Sequence, residues 1–290
     1  MTFVGILLAL VAERIVGHLP RVGEPMVLQQ LVVSVQRRVP LGAYWRSAAA
    51  PVVLLAAGTA LAGVLDWCLR DPLLDLAYGT AVLFFCLGPR HLANDIYRLI
   101  DAYDKNDLGQ QRTLTLSLLR GPGPQATRRS MIGALFIQSH ERLFGVLLWF
   151  IVAGPTGAVL YRLASRIPRF VHETQPDTRA EAAAVTLHAA AAWVPSRVNA
   201  ALFGLAGSLD QALLRFRRLR DETFANWRER TWAILAEVSA AALTVEEGEA
   251  GPIMPATLDE CLREVLAMQR RALLILLAGF GLFTAGGWIA

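Results

Sequence analysis

Long apolar runs separated by short charged patches occupy this chain from end to end. In the run 143–160, Thr156 is the only polar side chain between the pair Glu141-Arg142 and the pair Tyr161-Arg162. An α-helix rises about 1.5 Å per residue, so roughly 20 apolar residues cross about 30 Å of hydrocarbon. Comparable runs lie at 48–65, 73–88 and 272–289, and shorter or more polar ones at 2–17 and 183–207. Counting 143–164 as one crossing, six spans are expected. Gly154-Pro155 falls inside that crossing. In water the pair would break a helix, whereas in a bilayer neighbouring helices can satisfy the freed carbonyl, so a kinked span is expected. The pattern predicts an all-α, polytopic membrane helical bundle, a single integral membrane domain over 1–290.

Between the spans the periodicity is amphipathic. Leu92, Ile96, Leu99, Ile100 and Tyr103 recur at helical spacing, with Asn94, Asp95, Arg98 and Asp101 on the other face. The polar stretch 104–107 then ends that helix, and Asn106 or Asp107 can cap the next one, over 108–119. Gly121-Pro122-Gly123-Pro124 marks a loop, and a third helix over 127–138 feeds the 143–164 span. Val27, Leu31, Val35 and Val39 predict a surface helix within 21–46. The segment 208–271 is charged and helical in pattern, with a break at 246–255. Eight Lys or Arg lie within 90–142 against one in the expected tight turn 66–72. That asymmetry predicts that 90–142 and 208–271 are amphipathic cytoplasmic segments and that the turn is outside. The loop expected at 167–180 would also be outside, although with Arg166 it adjoins three basic residues and fits the rule less well.

Composition narrows the classes. The chain is 54% hydrophobic with a positive mean hydropathy, above the usual soluble range. Its basic residues are 27 Arg and the single Lys105, for a net charge of +4. That small excess does not indicate nucleic acid, while arginines between apolar runs suit a lipid bilayer with anionic headgroups. Cys68, Cys86 and Cys261 lie far apart, with no CxxC, and read as free thiols. His140-Glu141 begins like HExxH, but Phe144 stands where the second His would be, so no metal ligands are assigned. There is no Walker A loop and no GxGxxG, and no cofactor follows from these residues.

Charges inside or beside the apolar runs are the candidate functional residues. The start of the chain lacks the basic and small-residue flanks of a signal peptide, so an uncleaved first helix is expected. It carries Glu13 and Arg14, which read either as an interfacial anchor or as a charged site at the mouth of the bundle. Arg197 sits mid-run in 183–207. It implies a helix packed inside the bundle, with an acid partner, Glu141 first and Glu13 second, or a helix broken at Trp193-Val194-Pro195. Gly279, Gly281, Gly286 and Gly287 permit close approach of another helix, which leaves a homo-oligomer open.

The stretch ERLFGVLLWFIVAGPTGAVLYRLASR, followed about thirty residues later by WVPSRVNAALFGLAG, resembles the CobD/CbiB/AmpE membrane family. The first place is similar to the cobalamin branch's AEN-x-x-D-G…PLFW…G-x-P-x-A…Y, and the second to its N-W-I-P-A-R-L. ERIVG near the start and Lys105-Asn106-Asp107 look more like the AmpE branch. The resemblance covers nearly the whole chain. The cobalamin branch joins an aminopropanol, or its phosphate, to a corrinoid carboxylate with ATP and magnesium. Carried over by motif, Asp107 resembles the acid of that branch's Arg-Asp, Glu141 the acid of its Glu-Asn, and Arg197 the Arg of its Pro-Ala-Arg. The departures are several. Arg142 replaces the Asn, the following Asp-Gly is absent, and the Asp-Ser-Met segment and the paired Asp before Trp-x-Pro are replaced. Loss of those acids weakens a magnesium site. The resemblance therefore implies the AmpE branch, an inner-membrane protein that modulates β-lactamase induction during cell-wall recycling, beside the amidase AmpD.

Asp107, Glu141, Arg142 and Arg197 are then expected to form a cytoplasm-facing pocket for a phosphate-bearing small molecule held by Arg forks, with Glu13 and Arg14 at its rim. An ATP-dependent amide synthase of the CobD/CbiB type is the alternative. A transporter is a third class, and it would want repeated halves that this sequence does not display.

Overall fold

The computed structural model describes residues 2–16, 42–69, 71–87, 92–119, 128–174, 176–243, 246–248, 251–253 and 258–286. In chain order the helices are α1 (Thr2–Val16), α2 (Gly42–Trp45), α3 (Ala49–Cys68), α4 (Pro72–Leu87), α5 (Leu92–Asp104), α6 (Leu108–Leu118) and α7 (Arg128–Ser139). A π-helical turn, His140–Phe144, leads into α8 (Gly145–Thr174) and α9 (Arg179–Ala206). Then come α10 (Leu209–Asp221), α11 (Trp227–Ala233), a second π-helical turn (Ile234–Val238), α12 (Ser239–Ala241) and α13 (Leu258–Ala285). Two three-residue strands, β1 (Glu246–Gly248) and β2 (Gly251–Ile253), pair antiparallel in the stretch expected to be a break. Most of the expected 21–46 surface helix, and the 121–124 loop, lie outside the described residues.

Four stretches are long and apolar enough to cross a membrane: Ala49–Cys68, Pro72–Asp104, Met131–Thr174 and Leu258–Ala285, the second running through residues outside the description. The chain is a multi-pass membrane protein. The other two expected spans fall short of the same measure. α1 has 15 residues, and α9 mixes alanines with His188, Ser196, Arg197 and Asn199.

The chain divides into two compact units, Met1–Pro89 with Gly145–Ala192, and Arg90–Phe144 with Trp193–Ala290. In the first, α1 packs on α4, and both α3 and α4 pack on α8. Small residues face inward on α3 (Ala50, Ala62), and Leu83, Cys86 and Leu87 do so on α4. Val52, Val53, Leu61 and Phe85 point outward. A soluble protein rarely exposes so much apolar surface, and here it is the face offered to lipid. Helix α3 runs on to Cys68, so Asp66 and Trp67 are helical and the turn is shorter than expected. The Asp71 carboxylate caps α4 by accepting from the N–H groups of Leu73 (3.0 Å) and Leu74 (3.3 Å), one residue ahead of Pro72 in the first turn.

The expected kink is present in α8. Ala153 (φ −135°, ψ 22°) and Gly154 (φ 59°, ψ −150°) leave helical geometry, and the glycine occupies a region that a side chain disfavours. Pro155 opens the next segment, which continues to Thr174, so most of the expected 167–180 loop is helix. At Gly145 a Cβ would stand 2.3 Å from the ring of the fully buried Tyr161, so only glycine admits that ring. Helix α9 is unbroken through Pro195, against the expected alternative of a break. Proline has no N–H for the carbonyl of Ala191, four residues back. The indole of Trp149 supplies one, Nε1 donating to that oxygen at 2.9 Å.

The second unit has a well-filled core. Leu92, Ile96, Leu99 and Ile100 of α5 are buried as the periodicity predicts, whereas Tyr103 is exposed, so the stripe stops a turn early. They meet Met131, Leu135 and Phe136 of α7, and Leu262, Val265 and Leu266 of α13. Farther along α13, Leu274, Leu282 and Phe283 are exposed, which suits lipid, and a Cβ on Gly279 would meet open space. Arg215 of α10 ties the second π-helical turn down. Its guanidinium donates to Glu237 and, at 2.7 Å, to Glu222. Burial alone would lower its pKa, but its hydrogen bonds to Glu237 and then Glu222, with the attraction of both carboxylates, outweigh burial and hold it above the ordinary arginine value. Cys68 is an exposed thiol, and Cys86 and Cys261 are buried thiols.

Candidate functional site

The first π-helical turn is where the two motif stretches meet. A π turn fits one extra residue into a helix and rotates everything beyond it, a device common at functional sites. Here it places His140 wholly inside the second unit. On α9, Ser196, Asn199, Ala200 and Phe203 fall at i, i+3, i+4 and i+7 and are all buried on one face. Phe203 packs edge-on against Phe136 (ring centroids 4.7 Å apart) and Phe144 (5.3 Å), holding that face to both ends of the turn. The result is a contact between Asn199 Nδ2 and His140 Nδ1 at 3.3 Å, between residues 59 apart in sequence. Trp232 of α11 stands edge-on to the imidazole with centroids 6.3 Å apart. Asn199 is fully buried, and its Oδ1 takes no hydrogen bond.

The residues singled out by sequence are distributed around this contact. Arg142, on the same turn, donates from Nη1 to Asp95 Oδ2 (3.0 Å) and from Nε to Gln138 Oε1 (3.1 Å). Both partners of that ion pair are about three-quarters shielded, with side-chain exposures of 23% and 24%. Glu141 is half-buried beside them. Arg197 does not pair with Glu141. It donates from Nη1 to the Trp193 carbonyl (2.6 Å) and lies over the Trp193 ring, its Cζ 4.2 Å from the centroid. Burial lowers its pKa, and the positive charge of Arg230 of α11 acts in the same direction. Among the described residues neither of these two arginines has an acidic partner.

Asp107 serves as N-cap of α6, its Oδ1 accepting from the Gln110 N–H at 3.0 Å. It is exposed and touches none of Glu141, Arg142 and Arg197. Glu13 and Arg14 belong to the first unit, in the last turns of α1.

Asp95, His140, Asn199 and Arg230 were not singled out as site residues in the sequence. His140 and Asn199 did carry a signal, each being a polar residue at a position of an apolar face. Arg230 carried none, being one of 27 arginines.

Chemically, two guanidiniums that feel each other's charge and have no carboxylate partner among the described residues suit an anion, which an arginine fork can grip bidentately. Magnesium is different. Among the described residues no three His, Cys, Asp or Glu side chains gather as donors, so the donor set that a cobalamin-type enzyme implies does not fit here.

The family model described as regulatory signalling modulator protein AmpE matches residues 1–250. The chain belongs to the AmpE family. Relatives of this AmpE-family chain include two proteins named cobalamin biosynthesis protein CobD. One, from Chromobacterium violaceum, is 31% identical over 173 residues, covering 55% of this chain and 54% of the relative. The other, from Stutzerimonas stutzeri, is 27% identical over 169 residues, covering 52% and 56%. The chain thus spans about half the length of the curated relatives it matches. No solved structure matches it.

Proposed function

We propose that this AmpE-family protein is a regulatory modulator of the bacterial inner, cytoplasmic membrane, linked to cell-wall recycling and β-lactamase induction. In this reading it responds to a phosphate-bearing small molecule and passes the signal to a protein partner, the amidase AmpD being the first to test. The segments 90–142 and 208–271 face the cytoplasm. The anion is held by Arg197 with Arg230, beside Glu141 and Arg142 of the π-helical turn. Asp107, and Glu13 with Arg14, are further positions to test for a share in ligand binding. The observation that carries the reading is the geometry of Arg197, partly buried and fixed by the Trp193 carbonyl and ring, which with Arg230, whose charge it feels, makes a pair without an acid partner among the described residues. Such a pair gains by binding an anion.

The test is ligand-dependent stability of the full chain in lipid nanodiscs, with inorganic pyrophosphate as probe. The expected result is a saturable rise in melting temperature. Arg197→Ala and Arg230→Ala should each weaken it about 10- to 100-fold, the loss of a hydrogen bond to a charged group. In cells the same variants should lose control of a β-lactamase reporter while the protein level holds. Unchanged pyrophosphate affinity in both variants would end the reading.

The second reading is an ATP-dependent adenosylcobinamide-phosphate synthase, favoured by the names of the two relatives. The side chains fit it less well, for want of the acids that hold magnesium. Turnover of a corrinoid acid with aminopropanol phosphate and ATP would decide for it.

A further inference from the structure

Helix α10 of the second unit carries two stripes with different surroundings. Ala212 and Leu219 are buried in the core, and Arg215 between them is held by Glu237 and Glu222. About a quarter turn away, Leu209, Leu213, Phe216 and Arg220 follow one another at i, i+4, i+7 and i+11. This stripe is open, with Leu209, Leu213 and Phe216 exposing 43%, 45% and 43% of their surface. Arg217 stands on its flank, and Arg218 falls on the far side of the helix. Among the described residues none of Arg217, Arg218 and Arg220 has an acidic partner. The exposed acids of α10 itself, Asp210 and Asp221, lie roughly a quarter turn off the stripe. The helix also begins close to hydrocarbon. It follows α9 after Gly207 and Ser208, and a Cβ on Gly207 would stand 2.8 Å from the Met268 sulfur of α13. Met268 comes four residues before Ala272, where α13 turns apolar directly after Arg270 and Arg271. That separation is roughly 6 Å, about one helical turn. Beyond it α13 exposes Leu274, Leu282 and Phe283.

We propose that α10 lies in the membrane surface and docks on anionic phospholipid, with Leu209, Leu213 and Phe216 at the boundary of the acyl chains and Arg217 and Arg220 on headgroup phosphates. An apolar stripe bordered by arginines is the pattern of a helix that rests in the plane of the interface. The arginine stem can lie along apolar surface while its guanidinium reaches a phosphate, which its fork grips bidentately. Zwitterionic headgroups would accept the apolar stripe alone, whereas the unpartnered cations beside it call for negative charge. Continuity points the same way, because the stripe starts about one turn from the place where α13 enters lipid. The core contacts of Ala212 and Leu219 and the ion pairs of Arg215 fix the roll of the helix, so the stripe cannot turn inward. Leu214, exposed on the other side, is a single apolar residue of the ordinary kind.

The proposal does not rest on anion binding by Arg197 with Arg230, and Arg197→Ala should leave both of the following readouts unchanged. In the first, full-length protein lacking the exposed thiol (Cys68→Ser) carries one nitroxide, at Leu213→Cys or at the control Leu214→Cys. It is placed in nanodiscs of phosphatidylcholine mixed equally with phosphatidylglycerol. Electron paramagnetic resonance power saturation compares collisions with oxygen, which enters lipid, and with a nickel chelate, which stays in water. The oxygen-to-nickel ratio is expected to be several-fold higher at 213 than at 214. Equal ratios would overturn the proposal. Weak collision with both reagents at 213 would overturn it too, by showing that a protein surface, from this chain, a second copy or a partner, covers the stripe. The second readout is the association of spin-labelled phosphatidylglycerol relative to spin-labelled phosphatidylcholine. In Arg217→Gln/Arg220→Gln it should fall about twofold, each arginine's roughly fivefold local effect being averaged over the whole lipid boundary. Arg218→Gln should leave it near the wild-type value. An undiminished preference in the double variant would rule out the headgroup contact. Where that variant does not fold, the wild-type preference must weaken as salt is raised, and a salt-independent preference counts against the proposal.

Discussion

Replacing Trp149 with Phe removes one N–H from the protein and leaves the Ala191 carbonyl with no donor at its usual place. In most helices that change would be mild, because the amide four residues on serves the carbonyl. Here that residue is Pro195, and the indole at 2.9 Å is the substitute. A buried polar group stripped of its partner loses about 1–3 kcal/mol. Low dielectric around the helix favours the upper part of that range. The smaller ring adds a packing loss, which must be separated from the hydrogen bond. A cycle with Pro195→Ala does this, since an alanine there restores the N–H that α9 lacks. Reversible unfolding in mixed detergent and SDS micelles is the assay. Trp149→Phe is expected to cost about 2–4 kcal/mol in the wild-type background, and roughly 1–2 kcal/mol less in the Pro195→Ala background, a factor of about ten in the unfolding equilibrium. Equal costs in the two backgrounds would refute the reasoning and leave Trp149 as a packing residue only.

Gly145→Ala should destabilise by about 1–3 kcal/mol or more, because its Cβ would overlap the rigid Tyr161 ring at 2.3 Å; a partial return of the melting temperature on adding Tyr161→Leu checks the cause. Asp107→Ala should cost about 0.5–2 kcal/mol through loss of the α6 cap, while Asp107→Asn and Asp107→Ser keep the cap and the melting temperature. If Asp107→Asn nonetheless loses regulation, the carboxylate has a role beyond capping; if function tracks stability across all three, it has none.

How much of this was legible in the chain depends on the range of the interaction. Apolar runs announced the membrane-crossing helices, Asn106-Asp107 announced a cap, and Gly154-Pro155 announced a kink, because each signal lies within a few residues of its effect. The π-helical turn was not legible. Nothing in HERLF distinguishes it from α-helix, and it is packing by Phe136, Phe144 and Phe203 that accompanies the inserted residue. The meeting of His140 with Asn199 needs the phase of two helices at once. Arg197 was expected to seek an acid. It found the face and carbonyl of Trp193, a partner one turn away that satisfies hydrogen bonding without neutralising charge.

The lone lysine and the lone exposed cysteine among the described residues have a practical consequence. Lys105, at the end of α5, has an open ammonium, 67% exposed even with Asp101 2.7 Å away. Cys68, at the hairpin end of α3, has an open thiol, while Cys86 and Cys261 are shut away. The unaltered polypeptide therefore carries two orthogonal handles, one side-chain amine and one reachable sulfhydryl, in segments that the charge asymmetry of the sequence leads one to expect on opposite faces of the bilayer. Sealed, right-side-out vesicles treated with an impermeant maleimide should be marked at Cys68. An impermeant active ester should leave Lys105 unmarked until the vesicles are opened. Acylation of Lys105 in sealed vesicles would invert the assignment, and no engineered residue is needed to learn which holds.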